Sequence, residues 1–126
     1  MALPVTRPWH AALVILAEQV ARGVKPLASL SVFDSDPGEV DLYLREWNKD
    51  RPGYVRKLMW QIEPMAGTDA STVYMFYDEL LWQVYTEGQQ LPVGAARHAL
   101  MGFLFGYDFD DIIHYIKFSR GSEETR

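Results

Sequence analysis

Apolar residues recur every three or four positions along most of the chain, which is the spacing of amphipathic helices. Prolines and glycines divide this pattern into blocks, because proline is tolerated in the first turn of a helix and glycine is common just past its end. The clearest start is Asp36-Pro37-Gly38-Glu39, where an N-cap aspartate precedes a proline and a glutamate lies three residues on. The predicted helices span residues 8–22, 37–48, 52–64, 70–87 and 92–106, and a last one follows Asp108.

Residues 27–33 fit two patterns. Leu30 and Val32 alternate with Ser29 and Ser31, which is typical of a strand with one buried face. A single short strand has no partner among the predicted helices, so we expect a short helix or an extended connector here. The chain is therefore predicted to be all-α: a compact single-domain bundle of five or six helices over residues 1–126, with residues 119–126 as a frayed tail.

The composition is that of a folded protein of ordinary size. At 126 residues the chain suits one domain, and 48% apolar with 23% charged residues exclude general disorder. The lack of cysteine excludes disulfides, thiolate metal sites and a cysteine nucleophile. No run of about 20 apolar residues predicts a membrane span, and Glu18, Gln19 and Arg22 continue the first helix where a secretory signal would need a cleavage site. We expect a cytoplasmic protein with no membrane partner.

A net charge of −5 argues against direct binding to nucleic acid, which needs a basic surface. The segment from Ala99 through the turn at Gly106-Tyr107 does have the rhythm of a helix-turn-helix, in which the first residues of the second helix face the DNA. Those residues are Asp110 and Asp111, whose carboxylates repel phosphate. We therefore expect no direct nucleic-acid partner.

No catalytic signature is present. The serines lie outside any Gly-x-Ser-x-Gly turn, and no glycine-rich phosphate loop follows a strand. We therefore expect a protein that is not an enzyme and needs no cofactor. The alternative is a helical metal-binding protein or enzyme centred on Asp110, Asp111 and His114, which share a helix face, with His98 or Glu79 of another helix as a further ligand. Acidic residues in a first helical turn are explained as well by the helix dipole.

Gly94, His98, Gly102 and Gly106 lie four residues apart, on one stripe of the predicted helix 92–106. Each internal glycine costs roughly 0.5–1 kcal/mol relative to alanine, so we expect close approach of another backbone to offset that cost. The stripe predicts a tightly packed central helix or, as the alternative, a groove that admits a ligand or a partner helix.

Charge is unevenly distributed along the chain. Residues 1–67 contain eight acidic and eight basic residues, whereas residues 68–126 contain nine acidic and four basic ones. Between Asp69 and Asp111 the only base is Arg97. Such a surface attracts a basic partner and raises the rate of encounter.

Aromatic residues accompany these acids. On the predicted helix 70–87, Tyr74, Trp82 and Tyr85 lie partly off the core face, beside Asp78 and Glu79. Tyrosine and tryptophan with charges around them are typical of an interface hot spot. Several surrounding helices would instead bury the rings, and the sequence leaves both arrangements open.

We therefore predict a protein-binding module that blocks the basic, nucleic-acid-binding surface of another protein, with carboxylates in place of phosphates. In size and charge the chain resembles small acidic inhibitors and adaptors of phages and other mobile elements, anti-CRISPR proteins among them. The predicted partner-binding residues are Asp69, Tyr74, Asp78, Glu79, Trp82, Tyr85, Glu87, Asp108, Asp110 and Asp111. The other alternative is a homo-oligomeric scaffold, such as a homodimer, in which exposed rings pair with themselves.

Overall fold

The chain folds into helices packed on both faces of a small antiparallel sheet. The computed structural model describes residues 7–33, 37–53 and 55–124, and all of their side chains except those of residues 109 and 119–124. Over these residues the elements are α1 (Pro8–Ala21), β1 (Leu27–Val32), α2 (Pro37–Lys49), β2 (Met59–Pro64), β3 (Ser71–Phe76), α3 (Glu79–Gly88), α4 (Ala95–Leu104) and α5 (Phe109–Glu124). The prediction of an all-α helical bundle is therefore wrong, because five helices and three strands make a mixed α/β fold.

Two of the predicted helices contain strands. In the segment 52–64 the described residues are irregular up to Leu58 and then form β2, and the segment 70–87 divides into β3 and α3. Within β2 the side chains of Trp60 and Ile62 are half-buried, whereas those of Gln61 and Glu63 are exposed. This alternation has the two-residue period of a strand, whereas the spacing of apolar residues over 52–64 predicts a helix.

β3 is the central strand of the sheet, and β1 and β2 pair with it on either side in antiparallel register. Leu27 of β1 and Met59 of β2 both lie opposite Phe76. Residues 27–32 are therefore a strand, as their alternating pattern indicates, and not a short helix or a connector. The strand that pairs with it is β3, which lies within the segment 70–87 that is predicted to be one helix.

One face of the sheet, covered by α1 and α2, holds the larger core. Val73 and Met75 of β3 belong to this core and are fully buried. The helices contribute Trp9, Leu13, Ala17, Val20, Val40, Tyr43, Leu44 and Trp47. Burial of a large aliphatic or aromatic side chain stabilises a fold by roughly 1.5–3 kcal/mol, so this face anchors the first half of the chain.

The opposite face holds a smaller core beneath α3 and α4. Its buried members are Leu27, Phe76 and Leu104, one each from β1, β3 and α4. Half-buried rings of Trp82 and Phe105 pack against them. This second core therefore lies at the end of the sheet where β1 begins and β3 ends, which is where α3 and α4 are attached.

Helix starts and stops follow local signals. α1 begins at Pro8 and is followed by Gly23, whose φ of 77° is left-handed. α2 begins at Pro37, and its predicted N-cap, Asp36, lies outside the described residues. α4 begins at Ala95, slightly later than predicted. Proline and glycine thus mark helix ends here for the expected stereochemical reasons.

α5 runs to Glu124, so it extends through most of the segment 119–126 for which a frayed tail is predicted. Residues 125 and 126 lie outside the described residues. No helix within the described ranges is long and apolar enough to cross a membrane.

Candidate functional site

The acidic residues from Asp69 to Asp111 are exposed and make no salt bridge within the described residues. Every salt bridge there joins side chains between residues 7 and 51: Arg7–Glu39, Arg22–Glu18, Arg45–Asp41, Lys49–Glu46 and Arg51–Glu18. The acids from Asp69 to Asp111 are all exposed and have no ionic partner in that part of the structure. Four of the six described acids of the first half are therefore paired with a base, whereas the acids from Asp69 to Asp111 present uncompensated negative charge to solvent.

The three aromatic residues predicted to bind a partner form one cluster. Tyr74 lies on β3, and Trp82 and Tyr85 lie on α3. The ring centroid of Tyr74 is 5.1 Å from those of both Trp82 and Tyr85, which are themselves 5.4 Å apart. Such distances are typical of favourable aromatic pairs. The structure thus brings these rings together from a strand and a helix instead of from one helix.

This aromatic cluster is half-buried and belongs to the second core. Trp82 stacks on Phe76 at 5.6 Å, and Tyr85 meets Phe105 edge to face at 6.0 Å. The Tyr85 hydroxyl donates a hydrogen bond to the Tyr74 hydroxyl at 3.3 Å. Burial raises the pKa of Tyr85, and the hydrogen bond to Tyr74 raises it further. The rings therefore fasten α3 to the sheet, and each of them is only partly accessible to a partner.

The acids of α3 lie at its two ends. Asp78 is the N-cap residue, and its Oδ1 accepts a hydrogen bond from the Leu80 N–H at 2.9 Å. Glu79 lies in the first turn, where negative charge is favoured by the helix dipole. Glu87 lies about 12 Å from Glu79 along the helix axis, at 1.5 Å per residue. Only Asp78 and Glu79 are therefore neighbours of each other.

Asp69 lies apart from the other predicted residues. It follows the turn between β2 and β3, in which Thr68 Oγ1 donates a hydrogen bond to the Met65 carbonyl at 2.9 Å. β3 then carries the chain about 20 Å away before α3 begins, at roughly 3.3 Å per residue. The structure does not bring Asp69 to the aromatic cluster, because the segment between them is a strand and not a helix.

The start of α5 carries three exposed carboxylates close together in the sequence. Asp108 directly precedes the helix, and Asp110 and Asp111 lie in its first turn. As predicted, acids at this position interact favourably with the helix dipole. A helix N-terminus carries only about half a positive charge, however. Net negative charge therefore remains at this end of α5.

A tight turn at Gly106 places α5 against α4. Gly106 has a φ of 76°, and the Tyr107 N–H donates a hydrogen bond to the Gly102 carbonyl at 2.9 Å, as in a Schellman motif. A Cβ atom on Gly102 would lie 2.6 Å from Cγ1 of Ile112, so the missing side chain lets α5 approach closely. Close packing therefore occurs at Gly102, but against the side chain of Ile112 and not against a backbone as predicted, whereas Gly94 only precedes the helix.

A groove lies between α4 and α5 at the glycine stripe, where the alternative prediction places one for a ligand or a partner helix, and we call it the α4–α5 groove. It is a cavity of about 560 Å³. Its lining includes His98 and Gly102 of the stripe together with Phe105, Tyr107, Asp111 and Tyr115. The rings of His98 and Tyr115 meet edge to face at 5.2 Å. Of the residues predicted to bind a partner, only Asp111 lines this groove.

Sequence reasoning missed the aromatic residues around the α4–α5 groove. Tyr107 is 64% exposed and Tyr115 is 56% exposed, and Phe103 (50%) and Phe118 (69%) are exposed on the same two helices. In a Schellman motif the residue after the closing glycine commonly packs on the residue five positions earlier, which here is Gly102. Gly102 has no side chain with which to make this contact to Tyr107. A glycine five residues before an aromatic residue was the available signal.

The centre of the alternative metal site, Asp110, Asp111 and His114, is exposed on α5. Among the side chains that the structure describes, no group of three histidine, aspartate or glutamate residues is placed to hold a metal ion. His98, proposed as a further ligand, contacts the Tyr115 ring.

Comparison with known proteins assigns no family. No protein-family model matches the chain, and no curated protein matches it either. The case for a function therefore rests on the geometry of the site.

Proposed function

We propose that the protein is a non-enzymatic protein-binding module that occupies the basic, nucleic-acid-binding surface of a partner protein. The observation that carries the proposal is the uncompensated acidic start of α5 beside exposed aromatic rings. Asp108, Asp110 and Asp111 supply charge, and Tyr107 and Tyr115 supply contact area. We call these five residues the α5 surface. Aromatic contact area bordered by charge is typical of protein interfaces.

Charge on the α5 surface accounts for the choice of partner. Its carboxylates stand in place of phosphates, so a surface that evolved to bind nucleic acid is attracted to them. Asp78 and Glu79, exposed at the start of α3, contribute to the same long-range attraction. A partner held in this way cannot bind its nucleic acid, so the protein acts as an inhibitor, in the manner of small acidic proteins of phages and mobile elements.

The remaining predicted residues have a supporting part in this proposal. Tyr74, Trp82 and Tyr85 hold α3 on the sheet, and Phe105 joins their cluster to the α4–α5 groove. Their replacement is expected to weaken binding through the packing of the second core. Asp69 is separated from α3 by the length of β3 and is not part of the α5 surface.

Capture of partners by the immobilised full-length chain tests the proposal. A nuclease-treated lysate of the encoding organism is passed over the chain, and bound proteins are eluted with duplex DNA or with RNA. Since the partner is held at its nucleic-acid surface, nucleic acid is expected to displace it. Asp110→Lys and Asp111→Lys are each expected to reduce capture about ten-fold, as reversal of an interface charge does.

The matched control is Asp50→Lys, because Asp50 is exposed and lies in the first half of the chain. It changes the net charge equally and is expected to leave capture unchanged. Circular dichroism of all three variants verifies that α5 is intact. Captured proteins that resist nucleic acid, or an equal loss of capture with Asp50→Lys, would contradict the proposal.

A second candidate function, a homo-oligomeric scaffold, is favoured by the exposure of Phe103 and Phe118. Both rings lie on the α4–α5 hairpin, where a second copy would cover them. Static light scattering measures this directly. A stable dimer that Phe118→Asp converts to a monomer would support the scaffold, whereas a monomer throughout would remove it.

A further inference from the structure

We propose that the α4–α5 groove binds an arginine side chain of the basic partner, an inference that rests on the proposed function and adds the mode of recognition. At about 560 Å³ the groove is within the size range of small-ligand sites. Its lining combines three aromatic rings, those of Phe105, Tyr107 and Tyr115, with the carboxylate of Asp111. Aromatic faces together with a carboxylate recognise organic cations.

The helical hairpin leaves two of these rings, those of Tyr107 and Tyr115, available to a ligand. Tyr107 and Tyr115 are each more than half exposed, so they are not consumed by the core. Gly102 also lines the groove. Ile112 is buried against Gly102 and lines the same cavity. The groove therefore has a buried apolar base and exposed aromatic sides.

Asp111 makes a cation a better occupant than an apolar side chain. Its carboxylate is exposed and forms no salt bridge within the described residues. An apolar side chain would remove water from this carboxylate without supplying a counter-charge, which costs free energy. A cation supplies that charge, and exposed Asp108 and Asp110 add to the attraction.

The combination of aromatic rings and a carboxylate in the lining favours arginine over lysine. A guanidinium group stacks face to face on aromatic rings and at the same time donates two parallel hydrogen bonds to a carboxylate. An ammonium group is a compact charge with no face to stack. Since the groove offers both rings and a carboxylate, arginine uses more of its lining than lysine does.

Titration of the isotope-labelled full-length protein with Nα-acetyl-arginine methylamide, followed by NMR, tests the site. Saturable shifts are expected at the amides of Gly102, Tyr107 and Ile112, which surround the groove. The matched probe is the citrulline derivative, which has nearly the same shape and no charge. We expect it to bind at least about five-fold more weakly, and the lysine derivative to lie between the two.

Variants of the lining separate its contributions. Tyr115→Ala and Asp111→Asn are each expected to weaken binding of the arginine derivative by about three- to ten-fold. Tyr115→Phe keeps the ring face and is expected to bind as the parent does. Asp50→Asn, which removes an exposed charge elsewhere, is the control for net charge. Thermal melts followed by circular dichroism verify that each variant is folded.

Four outcomes would overturn the inference. Equal binding of the arginine and citrulline derivatives would show that charge is not recognised. Shifts near Asp78 and Glu79 without shifts at Gly102 would show general charge attraction. Shifts at the groove amides that depend on protein concentration would show that a second copy fills the groove. Shifts at these amides on deletion of residues 1–6 would show that the chain's own terminus fills it.

Failure of this inference is distinguishable from failure of the proposed function. If the arginine derivative binds in the groove but no captured partner is displaced by nucleic acid, the proposed function alone is contradicted. If Asp110→Lys abolishes capture of the partner but the arginine derivative does not bind, the arginine site alone is overturned.

Discussion

Gly102 of α4 and Ile112 of α5 fit together so closely that a Cβ atom on the glycine would lie 2.6 Å from Cγ1 of the isoleucine. Ile112 is the one buried side chain among those that the structure describes on α5, and the others are exposed or half-buried. This contact therefore fixes the spacing of the two helices that form the α4–α5 groove. Loss of the fit changes both the stability of the hairpin and the shape of the groove.

Gly102→Ala is expected to lower the free energy of unfolding by about 1 kcal/mol, because overpacking costs about 1–3 kcal/mol and the gain in helix propensity returns only part of it. In the Ile112→Ala background the obstructing Cγ1 atom is gone, so the same change is expected to be neutral or stabilising. Urea denaturation of the four proteins measures this coupling. Additive effects would contradict the contact.

Gly106→Ala tests the turn between the two helices. Alanine at its φ of 76° is expected to cost about 1–2 kcal/mol of stability, since the left-handed region is unfavourable for residues with a Cβ atom. The added atom would also lie 3.0 Å from Cγ of Lys25. Chemical denaturation measures the loss.

Two other glycines serve as controls for that experiment. Gly67 has the same φ of 76° with nothing within 4 Å of its Cβ position, so Gly67→Ala isolates the backbone cost. Gly53 is also in open space and is not left-handed, so Gly53→Ala is expected to change stability by less than about 0.5 kcal/mol. A cost at Gly53 equal to that at Gly106 would contradict the explanation.

The helices that were predicted correctly are those whose ends are decided locally. Pro8 and Pro37 begin α1 and α2, and Gly23 and Gly106 follow helix ends with left-handed backbones. Capping and backbone stereochemistry act over a few residues, so the sequence pattern is sufficient. The sheet was missed because its strands are stabilised by pairing with residues distant in the sequence, such as Leu27 with Phe76.

Apolar residues have helical spacing across residues 70–87, although the segment contains a strand followed by a helix. The prediction of one helix is therefore wrong. Val73 of β3 faces the first core and Phe76 faces the second, whereas Leu80 of α3 is 62% exposed. A single helix would have placed all three on one face. Asp78 carried the missing information, since an N-cap aspartate marks the point where the helix begins.

The exposure of the acidic residues was predictable, but their grouping was not. Charged side chains remain at the surface in almost any fold. Which of them are neighbours depends on topology, which separates Asp69 from Asp78 by the length of β3. The glycine stripe predicts a groove as one alternative, but the contact between Gly102 and Ile112 joins two helices, and no local pattern specifies it.

Asp41 is expected to make stability depend on acidic pH. Trp60 Nε1 donates a hydrogen bond to its Oδ1 at 2.9 Å and Arg45 Nε donates one to its Oδ2 at 2.6 Å, and these hold the pKa of Asp41 below its usual value of 3.8. The stabilisation is therefore present above that value and is lost as the pH falls through the lower pKa of the folded state. Asp41→Asn is expected to flatten this part of the pH profile.

The free energy of unfolding in urea, measured from about pH 2 to pH 5, gives the two profiles. Asp50→Asn is the control, because Asp50 is exposed and outside the contacts of Asp41. The fluorescence of Trp60, which loses an ionised partner in Asp41→Asn, offers a second readout. Parallel profiles for the parent and Asp41→Asn would show that the hydrogen bonds to Asp41 do not stabilise its charge.

Tyr85 is expected to make stability depend on alkaline pH, with the opposite sign. Burial and the hydrogen bond to Tyr74 raise the pKa of Tyr85 in the folded state above its ordinary value of 10.0. Above that value the unfolded chain releases the phenolic proton and the folded chain retains it, so stability falls as the pH rises towards the folded pKa. Tyr85→Phe removes this proton and is expected to lose stability less steeply, as urea denaturation at increasing pH will measure. Tyr107→Phe, at a ring that is 64% exposed, is the control and is expected to follow the parent. An unchanged slope in Tyr85→Phe would mean that the Tyr85 hydroxyl is open to solvent.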